Sequence, residues 1–227
     1  MHREYKGRVA LRIALFLLGA VLVALGIALS VKSGLGVSAI SSFPYAISIV
    51  TGIEMSWWLF ANNIMLILLQ VALMGRHFKI RNLTQIPFAI ILSASLGVTQ
   101  RVLKFEVSAY WLRFIVMLIS VLCFAVGIYL LVEANIAINI PEGLNNAITS
   151  RFSFRFSRVK ICIDMTYVIL ALLTGLLFLH RMLGVREGTL ISAALTGWLI
   201  GAIPMSFKKW LHAKCYGNTA DMGGLVE

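Results

Sequence analysis

The chain has 227 residues, 60% of them hydrophobic and 13% charged, with a mean hydropathy of +0.92. That is too apolar for an ordinary soluble domain; the expected solvent is a bilayer, and the length leaves room for about six or seven spans and no sizeable soluble domain. The net charge of +11 does not point to nucleic acid, because Lys and Arg fall in short clusters between apolar runs rather than along a basic face with aromatics.

Residues 1–30 have a basic start and a long apolar run, but the run is span-length and no small-residue cleavage site is evident, so it reads as a retained first helix. Apolar runs of spanning length occupy 11–31, 57–75, 84–101, 109–132, 158–180 and 188–206. Two intervening segments, 33–56 and 133–157, are too polar and too rich in Gly and Asn for full spans yet too apolar for ordinary loops. Each is expected to be a re-entrant or half-helix segment, which survives at membrane depth only where protein or a water-filled cavity satisfies its backbone. A short amphipathic helix on the membrane surface is the alternative.

With six spans in this order, fourteen cations fall on one side: Arg3, Lys6, Arg8, Arg12, Arg76, Lys79, Arg81, Arg151, Arg155, Arg158, Lys160, Lys208, Lys209 and Lys214. Only Lys32, Arg101, Lys104, Arg113, Arg181 and Arg186 fall on the other. The positive-inside rule then places both termini, including a tail at 207–227, in the cytoplasm. Trp57, Trp58, Trp111 and Trp210 near span ends read as interfacial anchors.

An internal repeat is the most informative feature. At an offset of 101, Leu11-Arg12 matches Leu112-Arg113, Gly26-Ile27 matches Gly127-Ile128, Val31 matches Val132, and Tyr45-Ala46-Ile47-Ser48 matches Asn146-Ala147-Ile148-Thr149. After a one-residue slip Gly75 matches Gly175, and Thr84 and Gly97 align approximately with Thr189 and Gly201. The fold expected is an all-α membrane protein, a single domain over 1–227, with six transmembrane helices as two three-helix repeats, 10–103 and 109–206. Each repeat carries its irregular or re-entrant segment after its first helix. An odd number of spans per half makes the second half inverted, the plan of many secondary transporters, with the irregular segments meeting near the midplane. Duplication retained for packing alone gives the same pattern.

The stretches GLGVSAISSFPYAIS (34–48), NLTQIPFAI (82–90), PEGLNNAI (141–148), RVKICIDM (158–165) and GVREGTLISAALTGW (184–198) resemble the recurring motifs of the YczE/YyaS/YitT-like family of bacterial multi-pass membrane proteins, over about residues 10–206. The resemblance implies a bacterial inner-membrane protein and a fold, and suggests transport.

Glu142 follows Pro141 and precedes Gly143, where a broken helix restarts. An acid there suits a helix N-terminus, and a carboxylate at membrane depth also suits cation or proton binding. Asn135, Asn139, Asn145 and Asn146 cluster around it, and Ser41, Ser42 and Tyr45, with Ser38, occupy the equivalent first segment. Together they offer hydrogen bonds to a polar solute or oxygens to a cation; as caps and turn residues they need no ligand. Asp164 lies four residues after Lys160 and reads first as an ion pair, with proton relay the competing role. Asn62, Asn63 and Glu133 read as lining residues or interhelical hydrogen-bond partners, VREGT (185–189) as helix capping, and the GxxxG of Gly197–Gly201 and the small pair Ala20 and Ala24 as packing surfaces, the former suited to a homodimer.

Cys123, Cys162 and Cys215 lie far apart and the four histidines sit at span ends or in tails, so no metal or cofactor is expected. There is no HExxH, no GxSxG and no GxxxxGK[ST], and the chain does not read as an enzyme or as its own nucleotide-driven motor. The expected function is a secondary transporter or exporter of a small solute or ion, with the bilayer as its other partner. The alternatives are a membrane accessory or regulatory protein and the substrate-binding subunit of an uptake complex.

Overall fold

The computed structural model describes residues 2–78 and 80–180, together with Gly184, Arg186, Gly188, Thr189, Ser192, Leu195, Thr196, Leu199 and Cys215. The described residues form seven α-helices and no strand: α1 (His2–Ser33), α2 (Ala39–Thr51), α3 (Met55–Met74), α4 (Gln85–Val102), α5 (Tyr110–Ala134), α6 (Ile140–Phe152) and α7 (Phe156–Leu179). Five stretches are long and apolar enough to cross a membrane: Val9–Ser33, Met55–Met74, Asn82–Val102, Tyr110–Ala134 and Phe156–Leu179. Their ends agree with the sequence reading to within about two residues, because a long apolar run closed by Gly, Asn or charge has no competing conformation in lipid. Most of the expected sixth span, with its GxxxG, and Trp210 and most of the tail lie outside the described residues. Cys215, which the sequence places in a polar tail, is buried against the main core.

The two segments read as irregular each hold a 13-residue helix, α2 and α6, too short to span. Each is preceded by a residue of low helix propensity in an extended conformation, Ser38 or Asn139, and each ends on a residue with positive φ, Gly52 or Ser153. Pro141 sits in the first turn of α6, where its missing N–H costs no hydrogen bond.

The centre of the molecule is the antiparallel crossing of α1 and α5, and small residues make it close. A Cβ on Gly127 would lie 2.8 Å from the Val23 nitrogen and 2.9 Å from the Gly19 carbonyl oxygen; one on Gly26 would lie 2.9 Å from both the Phe124 nitrogen and the Ser120 carbonyl oxygen. Backbone meets backbone here, as small residues permit where lipid offers no hydrophobic drive to associate. Ala20 and Ala24 are fully buried in the same core. Arg12 reaches across to the end of α5, donating from Nε to the Ala134 carbonyl (2.9 Å) and from Nη2 to the Asn135 carbonyl (3.0 Å). A cation on the last carbonyls of a helix offsets its negative end.

The short helices pack on the long helices of the opposite half. Ser42 donates to the Tyr167 carbonyl (3.2 Å) and Ala46 packs on Ala171, so α2 and α7 advance in the same direction. On the other side α6 lies against α3 through a pair of fully buried amides. Gln70 Nε2 donates to Gln85 Oε1 (3.0 Å) and to the Ile140 carbonyl (3.2 Å), and Gln85 Nε2 returns a bond to Gln70 Oε1 (3.1 Å). Gly143 leaves room for this pair, since a Cβ would lie 2.5 Å from Gln70 Oε1 and the paired amides would have to shift. Outward-facing positions of the spans, such as Leu68, Leu122, Leu177 and Phe178, are apolar and exposed, as a lipid-facing surface requires.

Candidate functional site

A cavity of about 330 Å³ opens where the N-termini of α2 and α6 approach the α1 and α5 crossing. Ser38, Ala39 and Ile40 line it from α2, and Asn139, Pro141 and Glu142 from α6. Gly26, Ile27 and Ser30 of α1 and Ser120, Val121, Phe124 and Ile128 of α5 form the wall, and Lys160 and Asp164 line it from α7. Ser192 and Thr196 close the far side.

Glu142 is the chemically distinctive group. It sits in the first turn of α6, where the helix dipole favours an anion, with the Asn139 side chain as a hydrogen-bonding neighbour. Its Oε2 is nonetheless buried with no partner among the described residues. A buried carboxylate oxygen left unsatisfied is costly, so such a group is kept for a reason other than stability. Asp164 in the same cavity is held by Lys160 at 3.4 Å, the i,i+4 pair expected from the sequence.

Of the nine candidate residues, the fold brings Glu142, Asn139 and Asp164 to the cavity and leaves six off its wall. Asn135 caps α5 with a left-handed backbone, and its carbonyl receives Arg12. Asn145 is fully buried away from the cavity, and Asn146, one residue on, is exposed. Ser41 is buried and accepts a hydrogen bond from Ser38 (3.0 Å). Ser42 is spent on α7, and Tyr45 packs against Gly184. Asn62 accepts from the Tyr167 hydroxyl at 2.6 Å, an interhelical bond outside the cavity. Thr189 Oγ1 accepts from the Arg186 amide (3.4 Å), in keeping with the capping reading of that stretch.

The lining hydroxyls Ser30, Ser120, Ser192 and Thr196 were not singled out by sequence. The signal for them is spacing: Ser30 lies one helical turn after Gly26, and Thr196 one turn after Ser192, so each pair shares a face. Among the described residues no group of three or more His, Cys, Asp or Glu is placed to hold a metal ion.

Among the described residues, five span-length apolar helices and two short helices around a mainly apolar cavity with a few polar groups are the architecture of a polytopic helical membrane protein. The chain belongs to a family of unknown function (DUF6198), whose model matches residues 10–204. No curated protein and no solved structure matches it.

Proposed function

We propose that the protein is a secondary transporter of a small solute, built from two inverted halves, 10–103 and 109–206, that move against each other around the central cavity. The observation that carries the reading is the convergence of both short-helix N-termini on one cavity with a buried, unpartnered carboxylate oxygen. Discontinuous helices meeting inside the bilayer are how such transporters build a site from backbone and a few side chains.

The packing supports the inverted plan. Gly26 meets Ser120 and Phe124, and Gly127 meets Gly19 and Val23, so every residue of one contact has its equivalent, 101 positions away, in the other. The packing of α2 on α7 is matched by that of α6 on α3. Thr84 donates to the Ile136 carbonyl (3.1 Å), while the Gly188 amide donates to the carbonyl of Leu35, the residue equivalent to Ile136 (2.9 Å). Ile27 and Ile128, Ser38 and Asn139, and Ile40 and Pro141 face the cavity as equivalent pairs. A two-fold axis in the membrane plane accounts for these reciprocal contacts.

The charge asymmetry of the loops and the resemblance to the YczE/YyaS/YitT-like proteins extend the reading to a bacterial inner membrane with both termini cytoplasmic. In this reading Glu142 is the group that binds the coupling cation or the solute. Thermal unfolding of the purified protein against pooled amino acids, vitamins and drugs tests it, because a ligand of the folded state raises the midpoint with ln(1 + [L]/Kd). A stabilising pool whose effect disappears in Glu142→Gln is expected. No response to any pool would move the assignment to an accessory or regulatory role.

A further inference from the structure

We infer that the cavity takes a zwitterion of the α-amino-acid class with an apolar side chain, its ammonium group at Glu142 and its carboxylate at the N-terminus of α2. The inference rests on the transporter reading of this cavity and adds the chemistry of the solute.

Charge balance comes first. The ionisable side chains lining the cavity among the described residues are Glu142, Lys160 and Asp164. Lys160 pairs with Asp164 and also attracts Glu142 through space, so the three groups together carry one net negative charge, and Glu142 keeps an oxygen with no hydrogen-bond partner among the described residues. A bound cation bearing N–H donors satisfies both the charge and the lone pairs.

The two helix ends then differ in a way that asks for an anion as well. Each helix start leaves backbone N–H groups without intrahelical partners and carries partial positive charge. At α6 the protein supplies the anion itself, in Glu142. At α2 the equivalent residue is Ser41, the first turn has no acid, and the Ser38 hydroxyl turns to Ser41 instead of capping a backbone amide. Ala39 and Ile40 of that first turn line the cavity. The N-terminus of α2 therefore faces the cavity uncapped by side chains, as in anion sites built on helix starts. A lone anion would face the unpaired Glu142, and a lone amine would leave α2 unanswered; a molecule carrying both groups satisfies the two ends together.

The rest of the wall selects the side chain. Ile27, Val121, Phe124 and Ile128 present apolar surface. About 330 Å³ lies at the lower end of small-molecule sites and is ample for an amino acid.

The test is binding to the full chain in lipid nanodiscs, measured by calorimetry. The probes are apolar L-amino acids from alanine to phenylalanine, with isoamylamine and isocaproate as leucine lacking its carboxylate and leucine lacking its ammonium. An apolar amino acid is expected to bind, with isoamylamine and isocaproate each weaker than leucine by about tenfold or more, the loss of one charge-assisted contact. Glu142→Gln should weaken leucine and leave isocaproate no weaker. Ser41→Asp, which gives α2 an acid of its own, should weaken leucine and spare isoamylamine. Isoamylamine binding as tightly as leucine to the unmodified chain would overturn the inference while leaving transport of another cation intact. Failure of every amino acid would overturn it too, and the pooled screen would then judge the transporter reading independently.

Discussion

Glu142 and Asp164 are both acids in one cavity, yet only one is held in an ion pair. Asp164 has Lys160 one turn away, whereas Glu142 has a helix end, an amide neighbour and the more distant charge of Lys160, with Oε2 left without a hydrogen bond among the described residues. If that oxygen is kept for a ligand, removing the charge should cost the fold little. Glu142→Gln is therefore expected to unfold at the same temperature as the unmodified protein, or slightly above it, since the cost of a buried charge is lost along with a favourable helix-dipole contact of about 0.3–1 kcal/mol. A fall of several degrees in the ligand-free midpoint would instead mark the carboxylate as a structural cap. By contrast Glu54 meets Arg101 in a bidentate pair (3.0 and 2.9 Å) on the exposed ends of α3 and α4, where hydrogen bonds from the guanidinium hold the carboxyl below its usual range. That pair is screened by solvent and pins two helix ends beside a second cavity, of about 370 Å³.

At the scale of elements, two contacts are expected to be unforgiving. Gln70 and Gln85 satisfy each other fully inside the protein and hold the start of α6 against α3. Gln70→Leu strands the Gln85 amide and should destabilise by about 1–3 kcal/mol, while the double change to Leu should recover part of that loss, because no amide is left unpaired. Denaturation midpoints of the three variants in detergent check this; additive losses would mean that volume, not hydrogen bonding, matters there. Gly127→Val forces a side chain into the Val23 and Gly19 backbone and should cost at least about 1–3 kcal/mol. Val132→Leu, at an exposed position of the same helix, should stay within about 0.5 kcal/mol, and equal effects of the two in the same assay would deny a close crossing.

The elements were largely legible in the sequence, because apolar run length decides a span and because Ser, Pro and Asn weaken 33–56 and 133–157 below that threshold. Gly26 and Gly127, which the sequence singles out by their shared offset of 101, are both close-approach points of the α1 and α5 crossing. Which residues face inward was not legible. In a bilayer the outside of a helix is as apolar as its inside, so amphipathic periodicity does not orient it. That is why adjacent Asn145 and Asn146 could both be proposed for the site although one is buried elsewhere and the other is exposed. It is also why the Gln70 and Gln85 lock and the lining hydroxyls Ser30 and Ser120 carried no signal as single residues. Glu142 was legible because a lone acid between Pro and Gly in an apolar chain has few ordinary uses.

At the scale of the whole molecule, the proposed transporter has two inverted halves sharing one site that opens to each side of the membrane in turn. Single cysteines at Ser38 and Asn139, in a background lacking Cys123, Cys162 and Cys215, put a reporter on each short-helix start facing the cavity. The decisive measurement is their reaction with a membrane-impermeant thiol reagent, applied separately to right-side-out and inside-out vesicles. Both positions are expected to react from both sides, with the same preference between sides at the two positions, because they line a single cavity. Reaction of position 38 from one side only and of position 139 from the other only would mean two separate vestibules, and would contradict a single shared site.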